Sequence, residues 1–338
     1  MISRMPRGIV LDGVSMRSRH VAVALVAAAH LLCSPLIVGC GGSDSVSPAS
    51  PTPLESSTGV AGALIPPAPA PGSLDEIFVG AGDIAGCGTG DAEATAKLLD
   101  QIPGTVFTLG DNVQNAGSDS EYANCFEPTW GRHRSRMLAT VGNHDWFGGN
   151  GRPYFSYFGA SAGPAGAGYY SQTVGAWHVL SLNSEIAAGP GSPQYEWLKA
   201  DLAASPEACA IAMWHRPLFS SGPNDNAAHM RDIWRLLKQY GADVVLSGHN
   251  HMYERFAPQD ADGGADPRGP RAFVVGTGGY PLYRRSHSQA NSEVLDTDTW
   301  GVLKLTLKSA SYTWEFVPVA GKSFRDSGAG SCVVRPTN

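Results

Sequence analysis

Five apolar runs between residues 76 and 251 each end in side chains able to bind a metal ion, and that repetition constrains the fold more than any other feature. The runs are Glu76–Asp83, Gly104–Asp111, Met137–Asp145, Ala210–His215 and Asp243–His251. They close on Asp83, on Asp111, on Asn143 with His144, on His215, and on His249 with His251. A short apolar run bounded by turn residues reads as a buried strand. Between the runs, Asp91–Ile102, Gln194–Ala204 and Ala227–Tyr240 carry helical spacing, with Asp91 in a capping position. Tyr169–Asn183 reads as two strands around a turn at Gly175, and Ala272–Gly276, Val302–Leu307 and Tyr312–Val317 as strands without helices. This alternation predicts an α/β domain of two packed sheets with flanking helices. In open α/β sheets, sites collect beyond the carboxyl ends of strands, and a rigid strand end holds a ligating atom better than a loop does. Taken singly, a Gly-Asp after a strand is ordinarily a turn. The joint occurrence of Asp, Asp, Asn-His-Asp, His and His-x-His is not a product of turn chemistry alone.

Charge narrows the function classes. Lys and Arg number 24 against 30 Asp and Glu, a net charge of -6. A mildly acidic chain without a basic run does not neutralise phosphates in series, which excludes general nucleic-acid binding. Nor does it draw anionic substrates by long-range steering, so any such substrate needs a local positive charge to hold it.

The N-terminal residues stand apart from the fold. Arg4, Arg7, Arg17 and Arg19 precede an apolar stretch, Val21–Gly39, broken by His30, Cys33, Ser34 and Pro35. It is too short and interrupted for a permanent span. Its end, Ile37-Val38-Gly39-Cys40, resembles the bacterial lipobox, which implies a lipoprotein-type signal peptide over residues 1–39 and a lipid on Cys40. An ordinary signal peptide or an uncleaved anchor is the alternative, and all three place the remainder outside the cytoplasm. Residues 41–73 hold seven prolines and no aromatic residue, so residues 40–73 read as a lipidated cysteine and a disordered tether. The expected domain is then 74–338, in the cell envelope or secreted, meeting the membrane only through its anchor. No protein partner is predicted.

Cys87, Cys125, Cys209 and Cys332 remain in the folded part. An even count in an exported chain favours two disulfides, with three pairings open. Cys87–Cys125 with Cys209–Cys332 is preferred: the first two each follow a strand end on one rim, and Cys332 in the tail reaches Cys209 at the head of a strand. The rival, a zinc site, lacks the close cysteine pair such sites use.

Gly82-Asp83, Gly110-Asp111-Asn112, Gly142-Asn143-His144-Asp145, His215 and Gly248-His249-Asn250-His251 resemble the five blocks of the calcineurin-like metallophosphoesterases. Met252-Tyr253-Glu254-Arg255 is similar to the purple acid phosphatase branch. The resemblance runs from about Leu74 to Arg255. It implies a four-layer α/β/β/α sandwich of two mixed sheets, with a dinuclear metal site at strand C-terminal ends. It implies two divalent or trivalent ions (Fe, Zn or Mn), with Asp83 and His251 on the first and Asn143, His215 and His249 on the second, bridged by Asp111. Hard oxygens with neutral imidazoles suit such ions. The implied reaction is hydrolysis of a phosphoester by a metal-bridged hydroxide. His144 assists the leaving group, and Asp145 orients and charges its imidazole. A phosphomonoesterase is expected; a phosphodiesterase or nucleotidase of the same fold, or a catalytically impaired binding lipoprotein, is the alternative.

The pattern is incomplete at the first metal. The family often carries a histidine two positions after the first Asp, where this chain has Ala85. The purple acid phosphatases carry a tyrosine three positions after the second Asp, where this chain has Gln114. Gln114 is a possible extra ligand through its carbonyl oxygen, and without a phenolate the expected protein is not purple. Asn143 and His144 are also candidate substrate contacts, as is Arg216 through a bidentate fork to phosphate. Tyr253, Glu254 and Arg255 are read as support for the His249–His251 loop, His178 as structural, Arg132–Arg136 as a solvated helix face, and Gly276–Gly279 as a turn. Loops 147–168 and 261–271 are expected to set the breadth of the pocket.

Overall fold

The computed structural model describes residues 75–334. The signal segment, Cys40 and the tether expected over residues 1–73 lie outside the described residues, as does Leu74. In chain order, β1 (Glu76–Ala81) leads to α1 (Ala92–Gln101), β2 (Thr105–Thr108), the single turn α2 (Asp119–Glu121) and β3 (Met137–Leu138). Then follow α3 (Arg152–Phe158), β4 (Tyr170–Val174), β5 (Trp177–Ser181), α4 (Pro193–Ala204), β6 (Cys209–Met213), α5 (Arg231–Gln239) and β7 (Val244–Ser247). The last strands are β8 (Tyr253–Phe256), β9 (Arg271–Val275), β10 (Ser292–Asp296), β11 (Gly301–Leu307), β12 (Ser311–Pro318) and β13 (Ser327–Ser331).

Two mixed sheets result, ordered β13-β12-β11-β1-β2-β3 and β10-β8-β9-β7-β6-β5-β4. The strands that carry candidate ligands are parallel neighbours: β1 with β2 and β2 with β3 in one sheet, β6 with β7 in the other. Their carboxyl ends therefore emerge on the same side. Side-chain alternation builds the layers. In β6, Ile211 and Met213 join a core shared with Phe78, Phe107 and Leu303 of the first sheet. Ala210, Ala212 and the following Trp214 point the other way, into a second core with Leu198 and Leu202 of α4 and Ile233, Trp234 and Leu237 of α5. α1 packs Ala96 and Leu99 into the first core, and the four-layer order expected from sequence is present.

The helix ends obey local chemistry. Asp91 accepts from the Ala94 amide at 3.2 Å, and Ser192 caps α4 by accepting from Tyr195, with Pro193 opening the helix. At the far end of α1, Arg136 donates to the carbonyls of Leu99, Ile102 and Gly104 at 2.7, 3.0 and 2.7 Å. This corrects the expectation of a solvated face over Arg132–Arg136. His133 is buried with Nε2 3.2 Å from the Ala96 carbonyl, and Arg132 pairs with Glu93 and Asp100. The stretch is a clamp on α1.

Other boundaries moved for identifiable reasons. The third strand pairs only over Met137–Leu138, because beyond it the backbone turns to side chains: Thr140 N donates to Thr108 Oγ1 and Gly142 N to Asp145. Residues 147–168 include α3 rather than forming one long loop. β13 has the sequence Ser-Gly-Ala-Gly-Ser, without a large apolar side chain to announce a strand. It pairs because Gly328 lets the backbone lie against Trp314, where an added Cβ would stand 2.2 Å from the indole. Both preferred disulfides are present, Cys87–Cys125 and Cys209–Cys332, with Cα separations of 5.2 and 5.4 Å.

Candidate metal centre

Three of the ligand-bearing turns are held in a conformation that ordinary residues avoid. Asp83, Asp111 and His249 have φ of 57°, 48° and 69°, a left-handed region costing a non-glycine residue about 1–2 kcal/mol. The neighbouring glycines exist for close approach. A Cβ on Gly110 would lie 2.6 Å from His215 Nδ1, and one on Gly142 would lie 2.2 Å from the Asp111 amide nitrogen. The Gly-Asp and Gly-Asn-His-Asp patterns are thus packing requirements of the site as well as turn signals.

Around these turns the acceptors converge. Asp111 Oδ2 lies 3.1 Å from His215 Nε2, which is 3.1 Å from Asn143 Oδ1 and 3.2 Å from His249 Nδ1. His215 Nδ1 donates to the Leu109 carbonyl at 2.8 Å, so in the neutral ring the Nε2 lone pair faces this cluster. His251 repeats the arrangement. Its Nδ1 donates to the Pro281 carbonyl at 2.9 Å, and its Nε2 faces Asp83 Oδ1 at 3.3 Å. Asp83 Oδ1 is buried without a hydrogen-bond partner, while Oδ2 accepts from the His249 amide at 2.7 Å and joins the two groups. Buried lone pairs aimed at one another are costly unless a cation stands between them. Hard oxygens, neutral imidazoles and carbonyls that fix their tautomers are a donor set that fits two ions of the Fe, Zn or Mn class.

The protein's own charges follow the same geometry. Burial pushes Asp111 upward, but His215 and then His144 overcome it and hold the carboxyl well below its usual range. Burial would lower His215, yet the charge of Asp111 beside it keeps it up at about 10. His249 is driven down to about 2 by burial, then by His215 and Arg216.

The structure redistributes some expected roles. Asp145 does not touch His144. Its carboxylate accepts from Asn112 N and Nδ2, Gly142 N and Tyr122 OH, the last at 2.6 Å. Adjacent residues in this turn point opposite ways, and Asp145 pins the loop from beneath. Burial, followed by the charge of Asp111, raises it to about 6. The carbonyl of Asn115 takes the orienting part, accepting from His144 Nδ1 at 2.7 Å and leaving Nε2 toward the cleft, 4.0 Å from Asp111 Oδ2. Arg216 lines the cleft, but its fork is engaged: Nε donates to Glu185 at 2.8 Å and Nη1 to His249 Nε2 at 3.0 Å. Gln114 is buried with Nε2 unpartnered, and Ala85 supplies no ligand.

Glu254 accepts from the Ser221 amide and hydroxyl, while Tyr253 and Arg255 bond Asp326; these side-chain bonds run to Ser221 and Asp326 rather than to the His249–His251 loop that the three residues were expected to support. His178 is structural, its Nε2 2.6 Å from Asp201. Gly276 belongs to the turn beneath Asp83, where a Cβ would meet Asp83 Oδ2 at 2.7 Å. Sequence reasoning missed Asn224, Asp225 and Tyr283, which with Asp111, Asn143, His144, Arg216, His249 and His251 line a cleft of about 330 Å³. Neither residues 147–168 nor residues 261–271, both expected to shape the pocket, line it. Tyr283 stacks on His251 with centroids 3.8 Å apart. No motif marks these residues; they arrive on loops that only the fold brings near.

A family model described as calcineurin-like phosphoesterase matches residues 78–253, which span every candidate ligand. Purple acid phosphatase 15 of Arabidopsis thaliana is 28% identical over 254 residues, 63% of this chain and 47% of its own length. An acid phosphatase of Aspergillus ficuum is 38% identical over 165 residues, 40% of this chain and 26% of its own. The chain spans about half the length of the Arabidopsis relatives it matches. Among solved structures, the purple acid phosphatase PPD1 of yellow lupin superposes with a TM-score of 0.64 at 21% identity, covering 77% of this chain and 54% of that one. GAP50, the anchor in the inner membrane complex of Plasmodium, superposes with a TM-score of 0.59 at 15% identity, covering 78% and 90%. Both superpositions speak to the fold alone, and the family match extends over more than half of the sequence. With its ligand-bearing turns all inside that match, the chain belongs to the calcineurin-like phosphoesterase family.

Proposed function

We propose that this chain is an extracytoplasmic, metal-dependent phosphomonoesterase. One observation carries the reading: Asp111, Asn143, His249 and His251 line one small polar cleft, and the buried His215 and Asp83 meet them from behind, His215 Nε2 3.1 Å from Asp111 Oδ2 and Asp83 Oδ1 3.3 Å from His251 Nε2. Relatives named as purple acid and acid phosphatases support the reaction class. Asp83 and His251 would hold one cation and Asn143, His215 and His249 the other, with Asp111 between them and Gln114 as an additional oxygen donor. When bound, the ions acidify a water and supply the positive charge that an acidic chain otherwise lacks. The chain's own residues do the rest. His144, set by the Asn115 carbonyl, protonates the departing oxygen. Asn143 and His144 contact the phosphoryl group, and Arg216 reaches it by releasing His249 while Glu185 keeps its hold on Nε. Asp145 serves catalysis through the loop it holds. Export as a lipoprotein anchored at Cys40, with residues 40–73 as tether and 74–338 as the enzyme, agrees with two disulfides in the folded part.

Hydrolysis of 4-nitrophenyl phosphate and of bis(4-nitrophenyl) phosphate by protein supplied with Mn, Zn or Fe tests the proposal. Faster turnover of the monoester, abolished by His215→Ala, is the expected result. Faster turnover of the diester would move the reading to a phosphodiesterase. A second reading, a binding lipoprotein without turnover, draws on Ala85 and Gln114 at the first metal position; inertness of the metal-loaded protein toward both esters would favour it.

A further inference from the structure

We propose that Tyr283 is a positioning residue for the first metal, and that the segment Tyr280–Tyr283 clamps His251 where Ala85 and Gln114 leave that metal without the family's histidine or tyrosine. The proposal rests on the reading above that gives this metal to Asp83 and His251. Four contacts converge on His251. The Tyr283 ring is stacked on its imidazole, centroids 3.8 Å apart and planes 12° apart. The Tyr280 ring stands edge-on to it at 5.4 Å and 83°. The Pro281 carbonyl accepts from His251 Nδ1 at 2.9 Å, and the Tyr283 amide donates to the His251 carbonyl at 2.8 Å.

These contacts restrain different motions. The bond to Pro281 fixes the tautomer and the direction of Nε2, but a ring held by one hydrogen bond still tilts about that bond. A parallel ring at contact distance opposes the tilt, which would either collide with the tyrosine or open a gap beneath it. Nε2 is thereby kept on Asp83 Oδ1, 3.3 Å away. The clamp is itself anchored at that other ligand: the Tyr280 amide donates to the Asp83 carbonyl at 2.9 Å, and Trp300 Nε1 donates to the Tyr280 carbonyl at 2.8 Å. Tyr283 also lines the cleft. Among the described residues no tyrosine stacks on the second metal's histidines; His215 and His249 meet each other edge-on at 4.9 Å. The aromatic support falls on the metal whose ligand set is thinner.

Calorimetric titration of chelator-treated protein with Mn(II) tests the clamp. The wild-type chain is expected to bind two ions. Tyr283→Leu, apolar but without a ring, is expected to weaken one ion by about 10–100-fold, the scale of a lost partner behind a metal ligand, and to leave the other unchanged. Tyr283→Phe keeps the stack and is expected to retain both affinities. Unchanged binding in Tyr283→Leu overturns the proposal, and so does equal weakening of both ions, which would mark a general structural role. Loss of one ion in Tyr283→Phe, or a visible charge-transfer band in the ferric wild-type protein that Tyr283→Phe removes, would make the phenol a ligand and overturns the positioning role whether or not Tyr283→Leu folds. If the wild-type chain takes up fewer than two ions, the two-metal reading falls and the clamp with it; two ions in the wild type leave the variants to decide on Tyr283 alone.

Discussion

The carboxylate of Asp111 and the imidazole of His215 meet at 3.1 Å, His215 fully buried and Asp111 nearly so at the floor of the cleft. Each holds the other charged against the pull of burial. Removing one partner of a buried pair leaves the other uncompensated, at about 3–5 kcal/mol. Asp111→Asn is expected to lose that much stability in chelator-treated protein, read from urea unfolding. His215→Ala is expected to lose bound metal and at least about 100-fold in turnover, since even outer partners of metal ligands cost 10–100-fold. Metal content per chain, measured beside kcat, checks both.

His144 presents Nε2 to the cleft with its other nitrogen fixed by Asn115. A general acid contributes about 10²–10⁴-fold, most where the leaving oxygen is basic. His144→Ala should therefore slow alkyl phosphates far more than 4-nitrophenyl phosphate. Equal losses on both would remove the general-acid assignment.

Asp145 and Tyr122 form a separate, structural test. Tyr122→Phe deletes one donor to a carboxylate that keeps others, an expected loss of about 1–3 kcal/mol. Asp145→Ala strands the Asn112 and Gly142 amides and should cost more. A double-mutant cycle on thermal unfolding measures their coupling. Were Asp145 instead the partner of His144, Asp145→Asn would alter the leaving-group dependence without this loss of stability.

The two disulfides close spans of 38 and 123 residues. The chain-entropy estimate gives about 4 kcal/mol for the first and about 5 kcal/mol for the second. Cys332→Ser in a Cys209→Ser background is thus expected to destabilise slightly more than the Cys87/Cys125 double variant. Denaturant midpoints of the two variants, compared directly, test the order.

Glu207 predicts an acid limb. Burial raises it, but hydrogen bonds from Ser205 and Thr173 overcome this and hold it at about 2, from an ordinary value of 4.5. An acid with a depressed folded pKa adds stability that is present above its unfolded value and lost as pH falls through the folded one. Glu207→Gln should lower stability at pH 7, with the difference shrinking between pH 4.5 and 2. Urea midpoints across that range reveal it.

Much of this protein was legible along the chain because strand ends carry their chemistry locally. An apolar run followed by Gly-Asp or Gly-His announces both a buried strand and a side chain at its carboxyl end, and Asp83, Asp111, His215 and His249 sit within three residues of such ends. The stretch after Met137 was misread because Gly142 and Asn112 give their amides to Asp145 instead of to a neighbouring strand. That choice is made by a carboxylate folding back, which no period of two records. β13 escaped notice because its small residues are recruited by Trp314 and Tyr312 across the ladder.

Residue type and order by themselves determined the sheet-and-helix alternation, the ligand-bearing turns and the even set of cysteines. Each depends on interactions within a few residues, or on burial that an apolar run already implies. Only tertiary structure decided that Asn115 rather than Asp145 orients His144, that Arg216 is tied to Glu185 and His249, and that Asn224, Asp225 and Tyr283 line the cleft. These contacts join segments distant in sequence, and their directions are set by which way each loop leaves its strand. A hydrogen bond is directional, and that direction exists only once the chain is packed.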